Sequence, residues 1–349
     1  MLLGILKSYN TPVITDRIAA MTAKELGYDA VFFNISNVDY SSRIINGKRL
    51  VFGEWLECST PFPDIIFNDL PAKYEVYKKY LELENISNSR LLIHHRTIDK
   101  AACNNLFQNY PEIIPHLIPT FNVKTSKDVL NYVNQYKRIA LKPNNGHKGF
   151  GIKFLRQQEN GELQLQHENG NNELLSIPDV SIFLEKILSD KKYHIQPEII
   201  SHLRDSNFPF VIRTYMGRGI NGQWFNLFNY AAMDYKTGGV VNVSQGAGLQ
   251  FYPNFLEREF PHDKGKAFAE KLRSLSHKIV QAYQSGISEE VDAIGLDYIV
   301  DESGKPYMVE INYYPGTRPN SDICVYNQVR FAEYLYKKKM ALINTQQPQ

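Results

Sequence analysis

Short apolar runs alternate with amphipathic helical stretches over the first part of the chain. The runs LLGILK (2–7) and YDAVFFNI (28–35) have the length and composition of strands, and TDRIAAMTAKELGY (15–28) has helical spacing between them. The run DIIFNDL (64–70) is followed in the same way by the helical stretch AKYEVYKKYLELEN (72–85). This order predicts an α/β layer in which some strands pair in parallel.

Beyond this layer the patterning changes from mixed to antiparallel. A helical stretch at 125–136 leads into the strand RIALKP (138–143). Further on, apolar segments at 208–219 and 223–235 flank the Asn-Gly pair at 221–222, which is the pattern of a β-hairpin. The predicted organisation is an N-terminal α/β domain (1–92), a central α+β subdomain (93–192), a C-terminal α+β subdomain (193–343) and a short tail (344–349).

Acidic side chains interrupt the last predicted hairpin, AIGLDYIVDESGKPYMVEIN (293–312). A two-residue turn at Ser303-Gly304 predicts that Asp297 lies directly opposite Glu310. Because strand side chains alternate between faces, Asn312 joins these two carboxylates on one face. The other face is predicted to pack on the core through Leu296, Tyr298, Val309 and Ile311.

The two opposed carboxylates require a compensating group, because like charges that face each other destabilise a hairpin. Two carboxylates and an amide oxygen suit Mg²⁺, which takes its remaining ligands from water and phosphates. The sequence therefore favours a metal site formed by Asp297, Glu310 and Asn312. The alternative is a surface hairpin whose acids are solvated or paired with lysines.

A glycine-rich loop lies between two strand-like runs in RIALKPNNGHKGFGIKFL (138–155). Its glycines at 146, 149 and 151 allow backbone N–H groups to approach an anion closely, and Lys142 and Lys148 can neutralise phosphate charge. The loop is not a P-loop, because G-K-[ST] is absent and a strand follows instead of a helix. It predicts either a phosphate-binding flap or a flexible hairpin.

Composition and charge narrow the class of protein. The 349 residues include 43% hydrophobic and 22% charged residues, with a net charge of +2. These values are ordinary for a globular protein and do not favour nucleic acid or an anionic membrane as a partner. Three separated cysteines indicate a reduced interior, and neither a signal peptide nor a membrane span is predicted. We expect a cytoplasmic protein.

Read in chain order, these motifs resemble the ATP-grasp superfamily over residues 65–330. The order is IDKAAC with Lys100, a strand lysine with a glycine flap, YHIQPEII, a strand arginine, NVSQGAG, a strand aspartate and EINYYPG. The chain is most similar to the branch of the endospore-coat-associated YheC/YheD proteins. The resemblance implies an ATP-grasp fold, in which a pre-ATP-grasp domain precedes two α+β subdomains that clasp a nucleotide.

The resemblance also implies roles for individual residues. Metal binding, with Mg²⁺ or alternatively Mn²⁺, is expected from Asp297, Glu310 and Asn312. Catalytic contacts are expected from Arg213, Asn242 and Arg318, although surface ion pairs for the arginines and a turn role for Asn242 stay open. ATP contacts are expected from Lys100, Lys142, Asn145, Gly146, His147, Lys148, Gly149, Gly151, Glu185, Gln196, Pro197, Glu198 and Ile199.

The implied reaction joins a carboxylate donor to an amine acceptor through an acyl phosphate. Donor and acceptor are expected to be amino acids, peptides or peptide-like molecules, and Tyr313 and Tyr314 either line an acceptor pocket or pack in the core. Three other functions stay open: a small-molecule kinase, a ligase that modifies a ribosomal peptide, and a non-catalytic nucleotide-binding spore-coat or assembly protein. A homodimer and an association with the spore also stay open.

Overall fold

The computed structural model describes residues 1–68, 90–92, 100–144, 150–235, 240–243, 246–287, 290–313, 315–316 and 320–346. Three β-sheets run through this part of the chain, with helices between their strands. The helical stretch expected at 72–85 lies outside it. Within these ranges, no helix combines the length and the apolar character that crossing a membrane requires.

The first sheet forms the N-terminal domain, and its central strands are parallel, as the alternation of strands and helices predicts. Strand β1 pairs in parallel with β2 and β6, and β6 pairs in parallel with β7. The elements are β1 (Leu2–Lys7), α1 (Ile14–Glu25), β2 (Asp29–Asn34), β3 (Val38–Asp39), β4 (Ile44–Val51), β5 (Glu54–Pro61), β6 (Ile65–Asn68) and β7 (Arg90–Leu92).

The hairpin of β4 and β5 was not predicted from the sequence. Its turn is formed by Phe52 and Gly53, whose φ angles are 47° and 86°. Positive φ at both central positions belongs to a type I′ turn, in which asparagine or glycine usually stands first. Because phenylalanine is unusual at that position, the residue preferences of turns do not predict this hairpin.

The second sheet forms the central subdomain, with the strand order β12-β11-β10-β9-β13-β8. Thr125 caps α3 by accepting a hydrogen bond from the Asp128 N–H. Helices α3 and α4 bury Val129, Val133 and Leu184 against one face of this sheet. The elements are α2 (Lys100–Phe107), β8 (Phe121–Val123), α3 (Ser126–Tyr136), β9 (Arg138–Pro143), β10 (Lys153–Gln157), β11 (Leu163–His167), β12 (Asn172–Leu175), α4 (Ile177–Asp190) and β13 (Tyr193–Pro197).

The third sheet is antiparallel, with the order β16-β15-β14-β17-β18. One of its faces packs against α5 and α6 around Ile212, Leu296 and Phe255, which belong to the largest hydrophobic core. The elements are β14 (Phe210–Arg218), β15 (Trp224–Met233), β16 (Gly248–Phe251), α5 (Tyr252–Glu259), α6 (His262–Ser285), β17 (Ala293–Val300), β18 (Pro306–Asn312) and α7 (Ser321–Gln346).

Three segments join cores other than those of the domains to which the predicted boundaries at 92, 192 and 343 assign them. Strand β13 begins at Tyr193 but belongs to the central sheet. Helix α2 packs through Cys103 and Phe107 into the core of the third sheet. Helix α7 packs through Val325 and Leu335 into the N-terminal core. Each of these segments buries its apolar side chains on a partner that is distant in sequence, which local patterning cannot show.

The last hairpin has the predicted register at its acidic end but reaches it by a different path. Asp297 lies opposite Glu310, as the sequence predicts. The turn, however, has three residues, 302–304, and not two. The Gly304 N–H donates to the Asp301 carbonyl, and the Asp301 N–H donates to the Lys305 carbonyl. Gly304, at the end of the turn, has a φ angle of 79°. A bulge between Asp297 and Tyr298 corrects the register.

The bulge changes which side chain of β18 reaches the core. Val309 was predicted to pack on the core but is only half-buried, and Met308 takes its place opposite Tyr298. Leu296, Tyr298 and Ile311 lie in the core as expected. The correction concerns Val309 alone and leaves the polar face of the hairpin unchanged.

Candidate active site

One row of side chains crosses the open face of the third sheet. The paired positions are Tyr230 on β15, Arg213 on β14, Asp297 on β17 and Glu310 on β18. Directly paired residues of antiparallel strands lie on the same face of a sheet. The sheet therefore gathers an arginine and two carboxylates on the face opposite α5 and α6.

Arg213 and Asp297 form a two-pronged ion pair at the centre of this row. Arg213 Nε donates to Asp297 Oδ1, and Arg213 Nη2 donates to Oδ2 over 2.7 Å. Burial alone would lower the pKa of Arg213, but the Asp297 carboxylate outweighs it, so the pKa is raised. Arg213 therefore stays charged and balances the opposed acids, which answers the charge problem that the sequence raises.

Asn312 extends the polar group by one position along β18. Its Nδ2 donates to Asp297 Oδ2 over 2.9 Å. This bond leaves the amide oxygen of Asn312 as the atom that a cation would use. Asn312 and Asp297 are thus brought together, as the sequence predicts.

The donor set of Asp297, Glu310 and Asn312 fits a hard divalent cation such as Mg²⁺. Asp297 Oδ1 accepts one N–H bond and Oδ2 accepts two, so the carboxylate keeps a lone pair for a cation at Oδ1. Mg²⁺ commonly binds one or two carboxylates and completes its shell with water and phosphate. In the described ranges, no group of three or more His, Cys, Asp and Glu side chains could hold a metal, so this smaller set is the candidate.

Gly295 allows the chain to fold back over this row. It pairs with Asn312 on β18 and with Tyr215 on β14. A Cβ atom at Gly295 would lie 3.1 Å from Pro315 Cβ and 3.4 Å from Arg213 Cδ. Pro315 and Arg213 therefore both border the space that a side chain at 295 would occupy.

The central sheet presents a second polar group, which contains Lys142 and Gln196. Lys142 Nζ donates to Gln196 Oε1 over 2.6 Å, and Gln196 Nε2 donates to Thr120 Oγ1 over 2.9 Å. Lys142 alternates with Leu141, whose side chain is buried under α3 and α4. Lys142 and Gln196 consequently lie on the face of this sheet opposite α3 and α4.

The segment after β13 is held by two arginines through Glu198. Arg156 donates from Nε and Nη2 to the Glu198 carboxylate over 2.7 and 2.6 Å, and Arg138 Nε donates over 3.1 Å. The Glu198 N–H donates to the Arg138 carbonyl. Because backbone groups alternate along an extended strand, the Pro197 carbonyl points away from β9, toward the sheet edge beyond the start of β8.

The end of the glycine flap is held by Glu168. The Gly151 N–H donates to Glu168 Oε1 over 3.2 Å, and Lys153 Nζ donates to Oε2 over 2.6 Å. The Glu168 carbonyl accepts a bond of 3.4 Å from the Val240 N–H. This bond places the loop that contains Asn242 beside the flap end, where the central and C-terminal subdomains meet.

Other predicted site residues lie apart from these groups or outside the described ranges. Glu185 is exposed on α4 and accepts a bond from Ser126 on α3, so it lies on the helical side of the sheet, away from Lys142. Lys100 is the first residue of α2. Tyr313 is buried against Tyr283 in the core, which agrees with the packing alternative for this residue. The residues outside the described ranges are Asn145, Gly146, His147, Lys148, Gly149, Tyr314 and Arg318.

Sequence reasoning missed three features that shape the candidate site. Tyr230 and the Lys153–Glu168 ion pair carry no motif of their own, and the arginines that hold Glu198 come from two separate strands. These features become visible once the strand register is known. The paired residues Arg138 and Arg156 could have been found by assuming that the strands around the glycine loop form a hairpin.

Comparison with known proteins supports the identification of the fold. The family model of YheC/D-like ATP-grasp proteins matches residues 90–339. The chain is 21% identical over 336 residues to the endospore coat-associated protein YheD of Bacillus subtilis (strain 168), with 89% of this chain and 71% of that protein covered.

Two solved structures have the same fold. D-alanyl-alanine synthetase A from Vibrio cholerae superposes with a TM-score of 0.52 at 9% identity, with 97% of each chain covered. The ATP-grasp ligase PsnB, complexed with a phosphomimetic variant of minimal precursor, Mg and ADP, superposes with a TM-score of 0.51 at 10% identity, with 96% and 98% covered. The predicted ATP-grasp fold and the resemblance to the YheC/YheD branch are confirmed, and the chain belongs to the YheC/D-like ATP-grasp family.

Proposed function

We propose that this protein is an ATP- and Mg²⁺-dependent ligase that joins a carboxylate to an amine through an acyl phosphate. The observation that carries the proposal is the row of Arg213, Asp297 and Glu310 on one open sheet face. An arginine beside the candidate metal ligands is suited to stabilise the negative charge of a phosphoryl group during its transfer from ATP to the substrate. Family membership supports ATP as the phosphoryl donor.

In the first step, a carboxylate oxygen of the substrate attacks the γ-phosphorus of ATP, and ADP leaves. Lys142 contacts the nucleotide phosphates, and the backbone of Pro197 and Ile199 contacts adenine. Arg213 stabilises the negative charge on the transferred phosphoryl group, because Asp297 keeps it charged and in place. Mg²⁺, held by Asp297, Glu310 and Asn312 when bound, supplies neutralisation of phosphate charge.

In the second step, the amine attacks the acyl carbon, the C–O bond to phosphate breaks and phosphate leaves, and a proton of the amine passes to water. Arg213 can stabilise the oxyanion that develops on the acyl group. The flap, whose far end is held by Glu168, is suited to exclude water from the acyl phosphate. Asn242 and Arg318 are proposed to contact phosphate or substrate, and the flap residues 145–149 to cover the phosphates.

The test is a screen for ADP release with ATP, Mg²⁺ and pools of amino acids, dipeptides and longer peptides, with products identified by mass. A condensed product formed together with ADP and phosphate supports the ligase. A stable phosphorylated product would identify a kinase instead, and turnover restricted to long peptides would identify a peptide-modifying ligase.

A non-catalytic role gives a different result in the same screen. Nucleotide would bind, but no pool would release ADP, and Glu310→Ala would leave the biological function intact. Because the relative YheD is an endospore coat-associated protein, spore assembly is the process in which to examine that variant.

A further inference from the structure

The face of the third sheet that carries Arg213 has a charged part and an apolar part. Helix α7 covers one end of this face, where Cys324 packs against Tyr215 and Ala293. Beyond Arg213, the row continues through Tyr230 on β15 to Phe251 on β16. The neighbouring rows add Phe228, opposite Tyr215, and Leu249, opposite Ala232. We call Phe228, Tyr230, Leu249 and Phe251 the apolar shelf.

Packing within the protein leaves much of the apolar shelf exposed. Phe251 is 70% exposed and Leu249 is 45% exposed, although both belong to a strand of the sheet. On the opposite face of the same sheet, Ala231 and Met233 are buried under helices. Phe228 and Tyr230 stack loosely, with ring centroids 6.3 Å apart, and extend the apolar surface up to Arg213.

The register places this surface within reach of a substrate that contacts Arg213. Adjacent strands lie about 4.8 Å apart, so β16 is about 10 Å from β14 across the sheet. A carboxylate next to Arg213 would carry its nearest substituent over Tyr230, and an aromatic or long aliphatic group would reach Phe251. Among the described residues of these rows, the side chains beyond Arg213 are apolar except for the Tyr230 hydroxyl. A charged substituent placed over them would lose water without gaining a partner from these side chains.

We infer that the carboxylate substrate carries a large apolar or aromatic group, which lies on the apolar shelf while its carboxylate lies beside Arg213. This inference rests on the proposed function for the role of Arg213. It names the class of the acyl donor, which neither the family nor the fold specifies. Peptides with an aromatic or aliphatic residue at the reacting carboxylate belong to this class, as do free amino acids and related acids.

The test measures binding, so that it does not depend on turnover. Affinities of N-acetyl-phenylalanine, N-acetyl-leucine and N-acetyl-glutamine are measured by calorimetry in the presence of Mg²⁺ and a non-hydrolysable ATP analogue. N-acetyl-phenylalaninamide tests the need for the carboxylate. We expect both apolar acids to bind about tenfold more tightly than N-acetyl-glutamine, and the amide to bind weakly.

Variants test whether the apolar shelf is the cause of that preference. Leu249→Ser combined with Phe251→Ser should abolish the preference without affecting the melting temperature, because both side chains are exposed. Phe225→Ser is the matched control, since Phe225 is also exposed but lies at the other end of β15, opposite Gly217. The control should retain the preference.

Equal binding of the polar and apolar acids, or a preference that persists in the double variant, would overturn the inference. The two proposals fail separately. Equal ADP release from polar and apolar donors would support the ligase activity and refute the apolar subsite. A preference for apolar acids in binding, without ADP release from any pool, would refute the ligase activity and support the apolar subsite.

Discussion

At the scale of single residues, the candidate site depends on how one arginine is shared. Arg213 balances Asp297 in the protein alone, and the proposed reaction needs its positive charge for a phosphoryl group. Glu310 is paired opposite Asp297 and adds the second carboxylate. Binding of a divalent cation to both acids would draw negative charge from Arg213 and make the guanidinium available to substrate.

We predict that Glu310→Gln weakens nucleotide binding only where binding depends on Mg²⁺. Removing one carboxylate from the donor set should raise the Mg²⁺ concentration needed for half-maximal ATP binding by about tenfold or more. The measurement is a nucleotide titration at a series of Mg²⁺ concentrations. Glu302→Gln, at the exposed tip of the same hairpin, is the control and should titrate like the wild type. A wild-type curve for Glu310→Gln would refute the metal assignment.

A second residue-scale prediction concerns the space beside Arg213. In Gly295→Ala, the new Cβ would press on Pro315 and Arg213, so turnover should fall about tenfold or more. The free energy of unfolding should fall by only about 1–2 kcal/mol. Turnover and chemical denaturation measure the two effects. Gly316→Ala, where a Cβ would meet nothing within 4 Å, should change neither quantity. Equal losses in both variants would show that Gly295 has no particular role.

At the scale of elements, the last hairpin shows what patterning can and cannot reach. Alternation along β18 placed Glu310 and Asn312 on one face. The position of Asp297 opposite Glu310 was predicted from an assumed two-residue turn. The predicted two-residue turn was wrong, and a bulge that the sequence does not signal restored the register. Val309 was misplaced for this reason. The β4–β5 hairpin was missed because Phe52 occupies a turn position that glycine or asparagine usually takes.

A 3₁₀ turn at Ile114–His116 contacts β18 of the last hairpin, and this contact predicts a loss of stability in mild acid. His116 Nδ1 lies 2.7 Å from the Pro306 carbonyl. Burial lowers the pKa of His116, the Pro306 bond opposes this shift, and Lys271, Lys305 and Lys278 add to it. Burial also lowers the pKa values of His202 and His277.

The direction of the pH effect on stability follows from the number of protons that the folded and unfolded states bind. Below its ordinary pKa of 6.5, the unfolded chain binds more protons at His116 than the folded chain. Stability is therefore fully present above that value and is lost as the pH falls through the folded pKa. Urea denaturation between about pH 7 and pH 5 should show a falling free energy of unfolding, with a smaller slope in His116→Gln. An unchanged slope in the variant would contradict the account.

At the scale of the whole molecule, distant segments hold the candidate site together. Helix α7 follows the last strand of the third sheet but packs on the N-terminal domain. Helix α2 precedes the central sheet but packs beside α6 in the core of the third sheet. The Val240–Glu168 bond joins the flap end to the C-terminal subdomain. The order of motifs along the chain predicted the fold and the family. It could not place Glu185 on the helical face or reveal the apolar shelf, because both depend on contacts between separate strands and helices.

The central claim is that a substrate carboxylate receives the phosphoryl group of ATP. The most direct measurement uses a carboxylate substrate labelled with heavy oxygen, an amine and ATP, and determines the label in the released phosphate by mass spectrometry. The account predicts that one labelled oxygen passes into phosphate with each condensed product, because the acyl phosphate breaks between carbon and oxygen. Phosphate released without label alongside the product would contradict it.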